Sequence, residues 1–145
     1  MRKVLVIHGP NINLLGTREV GVYGKENLDT LNAYISGKAA QLDLICDIRQ
    51  SNIEGDIINH IHNAIGVYNG IILNAGAYTH YSYAIRDAIA AVRIPCVEVH
   101  ISNVFSREQF RHVSVIAPVC VGSVSGFGKY SYYMALVGLS EIIKA

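Results

Sequence analysis

Apolar residues fall along this chain in two alternating patterns, short continuous runs and helical stripes. Lys3–His8 is a near-continuous apolar run, the mark of a strand buried on both faces. Leu28, Leu31, Ile35 and Leu42 then keep helical spacing, with Asn27 placed to cap the helix. Leu44–Ile48 predicts a second strand. Ser51-Asn52-Ile53-Glu54 has the form of a capping box, and Ile57, Ile58, Ile61 and Ile65 follow as one helical stripe. Gly70–Asn74 predicts a third strand, Ala75–His80 a turn, and Ile85, Ile89 and Val92 a helix over Tyr81–Val92. After Pro95, Cys96–His100 predicts the fourth strand. Ile101–Phe110 is a polar connection with a helical turn near Arg107–Arg111. Val113–Val121 predicts the fifth strand, placed at an edge because Pro118 lies inside it. Gly122–Gly128 reads as a glycine-rich bend before a final helix over Lys129–Ile143. That helix is apolar around much of its girth, so its outer side is expected to meet another subunit.

Five strand–helix repeats without a linker predict one α/β domain over residues 1–145, a doubly wound five-stranded parallel sheet. The expected arrangement is flavodoxin-like, with strand order 2-1-3-4-5. Ligands should bind beyond the carboxyl ends of the strands, at the switch between strands one and three. The polar clusters fall there: Asn11, Arg18 and Tyr23 after strand one, Asn74 and His80 after strand three, His100 and Ser102 after strand four. The first connection, His8–Gly24, is long for such a loop, and its Ile12, Leu14, Leu15, Val20 and Val22 argue against disorder. It reads as an active-site element or a packed Ω-loop.

Composition narrows the classes. Net charge is +1 with 16% charged residues, so no general nucleic-acid or membrane field is implied. So little charge on a small domain points to surface covered by other subunits. Cys46, Cys96 and Cys120 are odd in number and lie in apolar runs, predicting three buried thiols in a reducing compartment. The cytoplasm is the expected location. No apolar run has transmembrane length, and Met1-Arg2-Lys3 leads into a strand.

Gly122–Tyr130 misses the phosphate-binding loop on glycine spacing and on the hydroxyl after Lys129. His60 and His62 are two apart on a helix and diverge, and the other histidines lack a carboxylate at ligand spacing, so no metal is expected. His60, His62 and His112 should face solvent. Ser82, Ser102 and Ser123 lack a nucleophile elbow. Acid–base chemistry fits better. His100 ends a buried strand, and Glu98 shares its side of the strand and could orient it. Tyr23 would need a guanidinium beside it to act as a base, from Arg18 or from Arg107 or Arg111.

Three stretches together carry a resemblance. They are Gly9-Pro10-Asn11-x-Asn13-Leu14-Leu15-Gly16-x-Arg18-Glu19-x-x-x-Tyr23-Gly24, Asn74-Ala75-Gly76-Ala77-Tyr78-Thr79-His80, and Glu98–Asn103 followed by Arg107-Glu108-x-Phe110-Arg111. In this order they resemble the type II 3-dehydroquinate dehydratases over essentially the whole chain. The resemblance implies Tyr23 as the base for a C2 proton, and Arg18 as the group that keeps the phenol ionised. It implies His100 as the acid for the departing C1 hydroxyl, Glu98 as its partner, and Asn11 as holder of a water at the enolate oxygen. It further implies Asn74, His80, Ile101, Ser102 and Arg111 as substrate contacts, Arg107 as loop support, and Asp87 as a residue reaching a neighbouring subunit's site. No cofactor is implied. The expected substrate is 3-dehydroquinate, and the expected assembly is a homododecamer of trimers. Two positions depart from the family's pattern. Val20-Gly21 stands where Glu-Pro or a similar pair is common, and His8 stands where Asn is common. A glycine for a proline should loosen the loop before Tyr23. The competing reading is a non-catalytic flavodoxin-like binding or oligomerisation module that kept these residues. A dehydratase for a related hydroxy keto acid is a second alternative.

Overall fold

A computed structural model of the chain describes residues 1–17 and 26–144. The apolar runs become the inner strands of one parallel sheet, ordered β2-β1-β3-β4-β5. β1 (Arg2–His8) is buried from Val4 onward, and β3 (Gly70–Asn74) and β4 (Cys96–His100) are buried throughout. β2 (Leu44–Gln50) and β5 (Gly122–Ser125) form the more open edges. The registers His8↔Asn74 and His100↔Ser125 bring the carboxyl ends of the strands to one rim.

Alternation along the strands divides the core in two. Val4, Val6, Ile72, Val97 and Val99 face α1 (Leu28–Gln41) and α4 (Tyr130–Ile142), where Leu31, Ile35, Leu136 and Leu139 close the layer. Leu5, Ile7, Ile71, Leu73 and Cys96 face α2 (Glu54–His62) and α3 (Tyr83–Val92), against Ile57, Ile61, Ile85 and Ile89. α1 starts as expected at Asn27, whose side chain accepts from Thr30 N–H while Thr30 Oγ1 accepts from Asn27 N–H.

Several boundaries differ from the expectation. The fifth strand is Gly122–Ser125, inside the stretch read as a bend, and not Val113–Val121. Pro118 sits in a 3-10 turn, Ala117–Val119, and has no N–H to give a ladder. The apolar run instead closes the α2–α3 layer: Ile116 is fully buried, with Val115, Val119 and Cys120 packed beside it. The edge position of strand five stands, but Pro118 is not its cause. Ser51 does not cap α2. Its hydroxyl accepts from Ile53 N–H and donates to Asp56, and the helix begins at Glu54. Ile65 lies beyond that helix and is 61% exposed, so the stripe ends at Ile61. α3 begins two residues late, because Ser82 caps it by accepting from Ile85 N–H. Of the thiols, Cys96 is buried, whereas Cys46 and Cys120 are only half-buried. His60 is half-buried; His62 and His112 are exposed as expected.

One polar residue of the core is His8 at the end of β1, fully buried between α1 and α4. Its Nδ1 lies 3.0 Å from Tyr132 Oη and its Nε2 2.8 Å from Asn32 Oδ1. Burial lowers its pKa from 6.5 to about 4, with the Asn32 hydrogen bond opposing the shift. The ring is therefore neutral in the fold, while the unfolded chain takes up the proton first. The stability this neutrality confers is complete above pH 6.5 and is lost as pH falls from there to about 4, amounting to roughly 3 kcal/mol. Denaturant unfolding at pH 7 and pH 4.5 should show this acid limb. In His8→Asn it should be shallower by about one bound proton, and an unchanged slope would refute the assignment.

Candidate active site

Two strand ends build the floor of a cleft by approaching too closely for side chains. Gly9 N–H donates to Asn74 O at 2.7 Å, and a Cβ on Gly9 would stand 2.7 Å from the Ala75 carbonyl carbon. In return Gly76, at φ +59°, lies against Pro10, where a Cβ would come within 3.2 Å. The motifs Gly9-Pro10-Asn11 and Asn74-Ala75-Gly76 thus lock each other at the switch between β1 and β3. Asn11 follows in the left-handed region at φ 71°, which asparagine tolerates, and its N–H donates to Asn52 Oδ1.

The cleft above this floor is lined by Asn11, Asn74, His80, His100, Ile101, Ser102, Arg107 and Arg111, among others. Past His100 and His80 it opens into a second lobe, with Glu98 and Ser114 on its wall. The two sheet faces contribute different chemistry. Asn74 continues the Ile72 side, toward α4. Glu98 and His100 continue the Cys96 side, toward α3.

Glu98 and His100 are both buried, with Glu98 Oε2 2.6 Å from His100 Nε2. A carboxylate oxygen can only accept, so Nε2 carries the proton and Nδ1 is the nitrogen left for the cleft. Glu98 Oε1 takes a second donor, Ser114 Oγ at 2.8 Å, and that hydroxyl in turn accepts from Ala117 N–H. The buried carboxylate is therefore held by donors on both oxygens. His80 stacks on His100, ring centroids 6.3 Å apart. Its Nδ1–H donates to Val113 O at 2.7 Å, leaving Nε2 as an acceptor, and burial lowers its pKa.

The second polar connection supplies the cations. Arg111 pairs with Glu108 through Nε at 3.1 Å and Nη2 at 3.3 Å, so its Nη1 hydrogens remain for a ligand. Arg107 reaches Ser102 Oγ at 3.3 Å. Gly126 and Gly128 donate to the His100 and Ile101 carbonyls, tying the turn after β5 to the segment that carries His100.

Most of the predicted site residues converge here. Asp87 does not: it is exposed on α3 and does not line its own chain's cleft. Arg18, Tyr23 and the Val20-Gly21 departure lie outside the described residues. No group of three metal-ligating side chains occurs among the described residues. Ser114 was not legible as a site residue, since it sits in an apolar run that read as strand. Tyr132 and Asn32 were likewise hidden on helices, far from His8 in sequence.

The profile described as dehydroquinase class II matches residues 2–140. The chain belongs to this family. The 3-dehydroquinate dehydratase of Caldicellulosiruptor saccharolyticus is 58% identical, covering 99% of both chains. The enzyme of the same name from Bacillus cytotoxicus is 57% identical, covering 97% of each. Among solved structures, the type II dehydroquinase of Butyrivibrio crossotus superposes with a TM-score of 0.93 at 50% identity, covering 95% of this chain and 97% of the other. A 3-dehydroquinate dehydratase-like protein from Bifidobacterium longum gives a TM-score of 0.75 at 30% identity over 100% of both chains.

In this class II dehydroquinase the Ser114 hydroxyl serves both a buried carboxylate and a backbone N–H. Ser114→Ala removes both bonds and should lower the unfolding free energy by about 1–2 kcal/mol in denaturant titrations. An unchanged midpoint would show that neither bond is formed in solution.

Proposed function

We propose that the chain, whose relatives are named 3-dehydroquinate dehydratases, converts 3-dehydroquinate to 3-dehydroshikimate by acid–base elimination, serving the shikimate pathway or quinate breakdown. The observation that carries this reading is the buried Glu98–His100 pair at the end of β4, with one imidazole nitrogen left for the cleft.

The chemistry fits the groups gathered. The C3 carbonyl of the substrate acidifies its C2 proton. Removal of that proton leaves an enolate, and the electron pair then expels the C1 hydroxyl, which leaves as water after taking a proton. The path needs a base, an acid and stabilisation of the enolate oxygen, all of which side chains supply. His100 acts as the imidazolium: Nε2–H stays on the Glu98 carboxylate, which fixes the ring from behind, and the second proton, on Nδ1, goes to the departing hydroxyl, leaving the neutral ring. Tyr23 takes the C2 proton and Arg18 holds its phenol ionised, roles supported by the match of their loop motif. Base and acid act on opposite faces, an anti elimination. Asn11 holds the water at the enolate oxygen. Asn74, His80, Ile101 and Ser102 bind substrate hydroxyls and the carboxylate, Arg111 pairs with that carboxylate, and Arg107 supports the loop through Ser102.

The reading extends to assembly and place. We assign the chain to homododecamers of trimers in the cytoplasm, with Asp87 reaching the cleft of a neighbouring copy. Exposed apolar residues near the cleft, Phe105, Phe110 and Val113, support a surface covered by other copies. Three unpaired thiols suit a reducing compartment. No described helix is long and apolar enough to cross a membrane.

Formation of the conjugated enone raises ultraviolet absorbance, which gives a direct assay. Purified protein should turn over 3-dehydroquinate, and no rise would remove the reading. Tyr23→Phe should lose turnover by about a hundredfold to ten-thousandfold while still binding substrate. His100→Ala should exchange C2 deuterium without releasing product; full turnover in either variant would reject that role. Light scattering should give a mass of twelve subunits, and Asp87→Ala should lower activity without lowering that mass. A monomer would sink the shared-site assignment.

A further inference from the structure

The Asn74 carboxamide is held at both its oxygen and its nitrogen, and the partner of its nitrogen lies in the core behind the cleft. Its Oδ1 accepts from Gly76 N–H at 3.1 Å, and its Nδ2 donates to Tyr132 Oη at 3.1 Å. Tyr132 is fully buried on α4, and its oxygen also lies 3.0 Å from His8 Nδ1. His8 Nε2 in turn lies 2.8 Å from Asn32 Oδ1 on α1.

The polarity of this chain follows from one group that has no choice. Gly76 N–H can only donate, so Asn74 must turn its oxygen toward it and its nitrogen toward Tyr132. Tyr132 Oη therefore accepts from Asn74. Its own hydrogen, buried, must go to the neighbouring acceptor, which is His8 Nδ1. The remaining ring proton of a neutral histidine is then on Nε2, and Asn32 presents its oxygen. Every bond in the chain agrees with its neighbours.

We propose that His8 and Tyr132 are positioning residues: with the Gly76 amide, they fix the Asn74 carboxamide in the orientation that leaves one Nδ2–H for a substrate oxygen in the cleft. The proposal rests on the reading of Asn74 as a substrate contact and adds the residues that set its polarity. A flipped amide would face Gly76 with a second donor and would offer the cleft an acceptor, the wrong partner for a hydroxyl lone pair or a carboxylate.

The same geometry accounts for the histidine at position 8. Histidine Nδ1 and asparagine Oδ1 stand the same number of bonds from Cβ, so either can accept from Tyr132. Histidine adds Nε2, which extends the chain to α1 through Asn32. His8 thus keeps the function that an asparagine would serve and anchors it to a second helix. A protonated ring would face Tyr132 with a donor and break the sequence of bonds; burial keeps the ring neutral.

The test is a double-mutant cycle in the assembled enzyme with 3-dehydroquinate. Tyr132→Phe should raise KM about tenfold and change kcat by less than about twofold, an effect that disappears in an Asn74→Ala background. His8→Asn should stay near wild type in KM, whereas His8→Leu should approach Tyr132→Phe. Equal losses from Tyr132→Phe with and without Asn74, or losses in kcat and stability without a KM change, would overturn the proposal in favour of a packing role. If Asn74→Ala leaves KM unchanged, the substrate-contact reading fails at that point and the proposal falls with it. A readout independent of turnover is the ring nitrogen resonances of 15N-labelled His8. They should report the Nε2–H tautomer, and the Nδ1–H tautomer would overturn the relay whatever the activity.

Discussion

The site depends on a close approach of two backbones. Gly9 donates to the Asn74 carbonyl at a distance that excludes a Cβ, and Gly76 meets Pro10 in the same way. This contact sits where the sheet order reverses between β1 and β3, the place where a doubly wound sheet leaves a crevice. It fixes the ends of two buried strands against each other before any functional side chain is placed. Asn74, the Gly76 amide and the start of the first loop all take their positions from it. The glycines are therefore read through the space they must vacate, and only at Gly76 also through φ.

From that floor the two faces of the sheet deliver opposite kinds of group. On the α4 side the polar atoms are neutral: His8, Tyr132, Asn74 and Asn32 pass hydrogen bonds in one direction, and no charged side chain among the described residues is buried there. On the α3 side a carboxylate is buried, and it is held by Ser114 and His100. A buried ion is costly unless its oxygens are occupied. Glu98 meets that condition by using the residue whose orientation it controls.

Strand patterning made most of this architecture legible. β3 and β4 run as the sequence predicts, because short apolar runs between turn residues leave no other option, and α1 starts at its expected cap. Glu98 and His100 were placed together by the two-residue alternation of a strand, a local rule. Where reading failed, the deciding contact was distant. Val113–Val121 is apolar and β-branched, yet Pro118 and the need to close the layer over Ile116 make it a plug, while Gly122–Ser125, with one apolar residue, takes the ladder to β4. Apolar periodicity records burial, and burial here did not require a strand. Ser51 failed as a cap for a local reason instead: its hydroxyl accepts from Ile53 N–H and donates to Asp56, and the helix starts only at Glu54. Asp87 and the loop bearing Arg18 and Tyr23 were assigned through motif resemblance, which carries roles that packing within one chain does not reveal.

His8 was legible as a departure and not as a connection, because its partners lie 24 and 124 residues away. A histidine in a core layer between two helices is expensive if any of its nitrogens is left unpaired. It is tolerated because the bonds form one consistent sequence from the Gly76 amide outward, and reversing any member would leave two donors face to face. Such a network is stable in only one polarity. The polarity reaches the cleft as a fixed donor on Asn74, while the opposite face presents the imidazole of His100. In the proposed reaction the substrate's oxygens and the proton it receives belong to different walls of the same crevice, each wall set by a chain of contacts running back into the core.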